Sequence, residues 1–275
     1  MADNTILHDA GGFERSLPSP APSSATTATF TSSTLPKPRA HALRPGSAKE
    51  DQVRNFVSDR LLHISRRYVK KFGITQPGDE VAGYGSITEL CTDLESVINI
   101  IWKSGTPSLQ IPYLLNIASD FNEWLLSFAP SPVATFSVLR KLDHCFASLL
   151  AGHDIDTKEV LPGFENGPRA GMSRTDMVRC KSTTEATRVL IVDVMSKKHR
   201  GLGGEGELLT ADESESGPEG PGRRSRKAVW EQETDDDEVL HMNVARVYEN
   251  TLVQLGETLG STVGERVQQS EGLAM

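Results

Sequence analysis

Apolar side chains recur at steps of three and four through most of residues 47–195, and the first four such runs each open on a helix-start signal and close on glycine or proline. Ser47 and Glu50 form an S-x-x-E capping box, after which Val53, Val57, Leu61, Ile64, Tyr68 and Phe72 follow before Gly73. This predicts a helix of about 25 residues with one apolar stripe. Its other side carries Arg54, Arg60, Arg66, Arg67, Lys70 and Lys71. A solvated face is the ordinary reading of such cations, and a contact surface for an anion or acidic partner is the sharper one.

Ser86 and Glu89 repeat the capping box ahead of Ile87, Leu90, Leu94, Val97, Ile98 and Ile101, a run that ends at Trp102 and Gly105. It is apolar over a wide arc, which predicts a helix at the centre of a bundle. Thr106 followed by Pro107 opens a third helix, with Leu114, Ile117, Phe121, Leu125 and Phe128 as its buried stripe up to Pro130. Pro112, one turn inside, either delays the start or bends that turn. Ser131 and Pro132 repeat the cap-then-proline device, and Val133, Phe136, Leu139, Leu142, Phe146 and Leu149 face inward until Gly152.

A loop with Pro162, Gly163, Gly167, Pro168 and Gly171 precedes a fifth start at Ser173 and Asp176, predicting a helix from Met177 to Met195. Val189, Leu190, Ile191, Val192 and Val194 are β-branched or aliphatic and would also suit a buried strand. With four helices before it and no partner strand, helix is preferred. A last amphipathic helix over 238–262 carries Leu240, Val244, Val247, Tyr248, Thr251, Leu255 and Leu259, with Thr234 and three aspartates before it. It either docks back on the bundle or binds another protein.

Between and around these runs the composition changes. Residues 1–46 are rich in Ser, Thr, Pro and Ala, and 199–237 in Gly, Glu, Ser and Asp. Neither stretch carries enough apolar surface to offset its ordering entropy, so both are expected to be disordered, as is the tail 263–275. The expected architecture is therefore all-α: a bundle of about five helices over 47–198 plus a separate C-terminal helix, with no internal repeat.

A net charge of -8 and a pI near 5.4 exclude a surface that grips nucleic acid or anionic lipid all over, though not a local basic patch. Cys91, Cys145 and Cys180 are odd in number and lie in amphipathic stretches without metal-ligand spacing. They read as reduced core residues, which favours the cytosol or nucleus. No apolar run reaches the length of a membrane span, and Met1–Ala10 lacks a basic head followed by an apolar block. A soluble, non-secreted chain is expected.

Candidate chemistry is sparse. Gly201, Gly203 and Gly206 match G-x-G-x-x-G behind VLIVDV, but an acidic stretch follows where a phosphate site needs a helix amino terminus. No phosphate-cradling G-x-x-x-x-G-K-[ST] loop, G-x-S-x-G elbow or H-E-x-x-H motif occurs. Asp143, His144 and Cys145 are adjacent, so on a helix they leave the axis about 100° apart and cannot act as a nucleophile and base pair. Cys145 is expected in the core, His144 partly exposed, and His63 structural or on the surface. No catalytic, cofactor-binding or metal-ligating residue is assigned.

Two basic groups stand out. Arg169, Arg174, Arg179 and Lys181 gather at the loop and cap before the fifth helix, a candidate contact for an anion or acidic peptide. Arg223, Arg224, Arg226 and Lys227 form a short run that an import receptor could grip. Ser214, Ser216 and Thr234, beside acidic residues, are candidate phosphorylation sites.

The stretches LLHISRRYVKKFG, IWKSGTPSLQIPYLLNIA, LRKLDHCFASLLAG and GPRAGMSRTDMVRCKS resemble a fungal family carried under the label of a meiotic recombination protein, named after a RecA-like recombinase. The likeness covers about residues 36–198. It implies nuclear location and a role in recombination. The recombinase's ATP-binding loop is missing here, so no catalytic residue carries over. The residues together point to a non-enzymatic helical interaction protein with protein partners and no cofactor, nuclear and in recombination or chromosome function. A cytosolic adaptor of a trafficking or assembly complex is the alternative, and an enzyme with a site built from scattered residues is a third class.

Overall fold

The computed structural model of the chain describes residues 35–73, 81–165, 167, 171–202 and 238–272, with the side chains of 197–202 and 261–272 excepted. Seven helices account for most of these residues: α1 (Ala48–Lys70), α2 (Ile87–Lys103), α3 (Pro107–Leu125), α4 (Pro132–Ala151), α5 (Arg174–Leu202), α6 (238–245) and α7 (Glu249–Gly272). Among the described residues there is no strand, only an isolated antiparallel bridge between His153 and Val160. The run 189–194 lies within α5, where Ile191, Val194 and Met195 are buried at helical spacing.

Ser47, Ser86 and Ser173 form the cap bonds their chemistry dictates, while Thr106 and Ser131 make no side-chain cap bond. Ser47 Oγ accepts from the Glu50 amide at 3.3 Å, while Glu50 reaches back to the Gly46 amide at 2.6 Å. Ser86 caps α2 in the same way through the Glu89 amide. Ser173 and Asp176 exchange bonds reciprocally at the start of α5. Pro112 sits inside α3 rather than before it. The carbonyl that its missing N–H would have served belongs to Ser108, and both residues are exposed, so water can take that place.

α4 packs against α2 on one side and α7 on the other, with α3 also beside it, while α1 lies on α2 and α5 bridges α3 and α7. Every residue from Lys141 to Leu150 on α4 is buried. The central element is thus α4, not the second helix that the width of its apolar arc suggested. The arc of α2 is wide because it meets α1, α3 and α4.

Two boundaries differ from the expectation. Residues 35–46, inside the segment expected to be disordered, lie along the bundle: Leu43 is buried, its amide donates to Thr106 Oγ1 at 2.9 Å, and the Arg39 amide donates to the Lys103 carbonyl. The C-terminal helix is two helices, α6 and α7, broken at residues 246–248, and its backbone stays helical to Gly272 instead of ending at 262.

Candidate functional site: a helix clasp on α4

Lys141, Asp143, His144 and Ser148, four of the five buried polar side chains of α4, tie it to its neighbours, whereas the hydroxyl of the fifth, Thr135, has no partner. Lys141 Nζ reaches Glu95 Oε2 at 3.0 Å and Asn99 Oδ1 at 3.1 Å on α2. His144 is buried, not partly exposed as expected. Its Nε2 lies 3.1 Å from Asp154 and its Nδ1 3.4 Å from Asp156, and its ring meets Trp102 edge-on. Ser148 Oγ accepts from the Ile155 amide. Burying these groups is tolerable only because each has partners of the right kind.

Asp143 binds the other way, toward the C-terminal arm formed by α6 and α7. Its Oδ1 accepts from the Thr251 amide at 2.8 Å and from Thr251 Oγ1 at 2.6 Å, and its Oδ2 accepts from Asn250 Nδ2 at 2.9 Å. The first bond within α7 runs from the Leu252 amide to the Tyr248 carbonyl, which makes Tyr248 the N-cap residue. A tyrosine cannot cap. Instead Asp143, a residue of α4, supplies the carboxylate that the third amide of α7 needs, and its negative charge meets the positive end of the α7 dipole. Burial pushes the Asp143 carboxyl above its ordinary range, against the lowering effect of the bonds from Thr251 and Asn250.

Around this polar clasp the contact is apolar. Val247, Tyr248 and Leu255 are buried, and the Tyr248 ring lies 6.1 Å from that of Phe146. Tyr248 is 1% exposed, its backbone is left-handed at φ 56°, and its hydroxyl has no hydrogen-bond partner. Cys145 and Cys180 lie near it. Burial pushes the Cys91 and Cys180 thiols up to about 12 and the Cys145 thiol further, so all three stay protonated and unreactive near neutrality.

The basic groups singled out by composition separate on the structure. Arg179 donates to Asn116 on α3 at 2.8 Å, and Lys181 pairs with Glu185 one turn along α5. Two positions apart on a helix, these two side chains leave the axis about 200° from each other. Arg174 is exposed at the first turn of α5, and Arg169 lies outside the described residues. So do Arg223, Arg224, Arg226, Lys227, Ser214, Ser216 and Thr234; Gly201 lies in the last turn of α5, whereas Gly203 and Gly206 also fall outside. On α1, Arg54 pairs with Glu50 and Arg60 with Asp93. Arg67 binds both Asp93 and Glu89 and stacks 4.0 Å over Tyr84, and Lys71 lies over the rings of Phe72 and Phe128. Arg54, Arg60, Arg67 and Lys71 of that face therefore serve the fold. Among the described residues no cluster of metal-ligating side chains gathers, and no helix is long and apolar enough to cross a membrane.

These features define a helical bundle whose buried ionisable groups bind its own elements together. The model of the family described as TFB6, subunit 11 of the general transcription factor TFIIH, matches residues 83–256. The chain belongs to that family. It is 27% identical over 233 residues to the general transcription and DNA repair factor IIH subunit TFB6 of Saccharomyces cerevisiae, an alignment covering 68% of this chain and 66% of that protein. It is 28% identical over 149 residues to an uncharacterized protein of Schizosaccharomyces pombe, covering 53% of this chain and 80% of that one. The chain thus spans about two thirds of the length of the S. cerevisiae relative. No solved structure matches.

The family match overturns the resemblance to the recombination-labelled family. Three of the four stretches that carried it, 101–118, 139–152 and 167–182, fall inside residues 83–256. They hold helix caps and packing residues such as Leu142, Phe146 and Leu149, which report how the bundle closes and say nothing of recombination.

Proposed function

We propose that the chain is a non-catalytic accessory subunit of a general transcription and DNA repair factor of the IIH type, held in it by protein contacts. One observation carries this reading: the family match begins ahead of α2 and stops one residue beyond Leu255, the last buried residue of the arm among those whose side chains are described. The matched span runs from α2 through the first turns of α7 and so includes Asp143, Asn250 and Thr251. Its buried ionisable groups bind its own helices, and its thiols are held protonated, which supports a role in contact rather than chemistry.

Work on chromosomal transcription and repair places the chain in the nucleus, where the basic run Arg223–Lys227 is a candidate import signal. A net charge of -8 favours protein over nucleic acid as the partner. Within the cation cluster before α5, Arg174 stands exposed on the first turn and is the member best placed to meet an acidic partner. Affinity purification of a tagged full chain from a fungal lysate, followed by mass spectrometry, tests the reading. Subunits of the general transcription and repair factor are expected to co-purify, and recovery of trafficking or assembly components in their place would refute it.

A further inference from the structure

The C-terminal arm meets the bundle through a contact with conflicting terms. In its favour are the bonds from Thr251 and Asn250 to Asp143 and the burial of Val247, Tyr248 and Leu255. Against it stand three features of the same contact. Tyr248 holds a left-handed backbone at φ 56°, which a residue with a Cβ resists. Its hydroxyl is buried without a partner. Asp143 is a carboxylate 7% exposed, stripped of most of its water. Release of the arm would relieve all of these at once: the backbone relaxes, the hydroxyl hydrates and the carboxylate regains solvent. Elsewhere among the described residues only His63 Nδ1 and Thr135 Oγ1 are buried without a partner, and Lys141, His144 and Ser148 are matched by groups on α2 or on the loop after α4, which do not leave with the arm.

Residues 203–237 separate α5 from α6, so the arm stays attached to the chain when it leaves its seat. What it leaves has a specific chemistry. Asp143 is an acceptor that needs a helix amino terminus, because a backbone amide and short polar side chains of a first turn are what it binds here. Beside it runs an apolar slot that takes side chains spaced as Tyr248, Leu252, Leu255 and Leu259 are, at steps of four, three and four.

We infer that α6–α7 is a releasable clasp, and that the slot on α4 it covers is a docking site for an amphipathic helix of a partner protein whose first turn presents hydrogen-bond donors to Asp143. The arm is the resident occupant, and a partner helix of the same pattern displaces it. The clasp stands on the geometry of this chain alone, whatever assembly the chain joins.

Two measurements on the full chain test it. In native-state hydrogen exchange, the Thr251 amide, which donates to Asp143, is expected to exchange at least 100-fold faster than the Leu142 and Leu149 amides of α4. Tyr248→Phe removes the unpartnered hydroxyl and is expected to slow Thr251 exchange several-fold. Exchange of Thr251 and α4 amides at one common rate would show that the arm leaves only on global unfolding and would overturn the inference. A fluorescent peptide of residues 238–260 then probes the slot by anisotropy. A full chain carrying Thr251→Val, whose own arm is weakened, is expected to take up the wild-type peptide at least 10-fold more tightly than the unaltered chain, and Asp143→Ala added to it should abolish uptake. Equal uptake by the Thr251→Val and unaltered chains, or uptake that survives Asp143→Ala, would also overturn it.

Discussion

Arg67 is where α1, which precedes the span matched by the family model, is fastened to the shared unit. Its Nη1 reaches Asp93 at 2.9 Å, its Nη2 reaches Glu89 at 3.0 Å, its Nε donates to the Ala82 carbonyl at 3.2 Å, and its plane covers Tyr84. Tyr84 in turn donates to Asp93 at 2.8 Å. Hydrogen bonds to charged groups contribute about 1.5–3 kcal/mol each when shielded from water. Glu89 is half exposed, which reduces its pair to below about 1 kcal/mol, and Asp93 keeps Arg60 at 3.7 Å as a second partner. Adding about 0.5–1 kcal/mol for the stacked cation, Arg67→Ala should cost about 2–3 kcal/mol. Arg67→Lys keeps the charge but not the fork or the plane, so it should recover less than half of that loss. Urea denaturation of the three full chains measures both values, and exchange of α1 amides shows whether the loss lies at the α1–α2 contact. An Arg67→Ala chain within about 0.5 kcal/mol of the unaltered one would refute the reasoning.

Other consequences can be checked on the same material. Gly152 ends α4 at φ 76°, and a Cβ there would lie 3.1 Å from the Phe164 ring, so Gly152→Ala should cost about 1–2 kcal/mol and lower the melting temperature by several degrees. Burial pushes the Asp154 carboxyl up, but amide bonds from Thr157 and Asp156 and the neighbouring His144 outweigh this and hold it below its ordinary 3.8. Its contribution is therefore full above that value and lost as pH falls through the lower folded one; Asp154→Ala should destabilise the chain at neutral pH and flatten the acid limb of its stability curve. Asp143 has the opposite sign. Its docked carboxyl is raised and a hydrated one is not, so arm docking should tighten as pH falls from the raised value toward 3.8, a slope that Asp143→Asn removes from the intrinsic-rate-corrected exchange of Thr251. Arg174→Ala should leave stability within about 0.5 kcal/mol while weakening recovery of the partner factor.

Much of the fold was legible because its start signals are local. Ser47, Ser86 and Ser173 cap the helices that their spacing indicates, and Pro107 and Pro132 stand at first helical positions. Thr106 marks its cap correctly without capping: its hydroxyl donates to the Ser104 carbonyl and accepts from Leu43. What pattern could not reach depends on distant partners. Residues 35–46 look unfoldable by composition, yet a few groups such as Leu43 and Arg39 find seats on the α2–α3 corner. The break at Tyr248 is invisible in an apolar stripe that runs evenly through it, since the cap that permits a new helix there comes from Asp143 on α4.

The candidate site was missed for the same reason. Asp143, His144 and Cys145 are neighbours in sequence, and helical neighbours diverge. That divergence is what lets Asp143 serve the arm, His144 the loop at Asp154 and Cys145 the core. One signal was present: Asn250 and Thr251 place two short polar side chains at the start of α7, with Thr251 in its apolar stripe, which asks for a polar partner opposite. The recombination label failed because the stretches that suggested it encode packing, and packing is shared by every member of a fold whatever its task.

The most direct measurement is size fractionation of a nuclear extract, following the native, untagged chain and the subunits of the general transcription and repair factor by quantitative mass spectrometry. The chain is expected to elute with those subunits, well above the position of a 30.0 kDa monomer and in constant ratio to them across the peak. Elution apart from them, alone or with another assembly, would contradict the account.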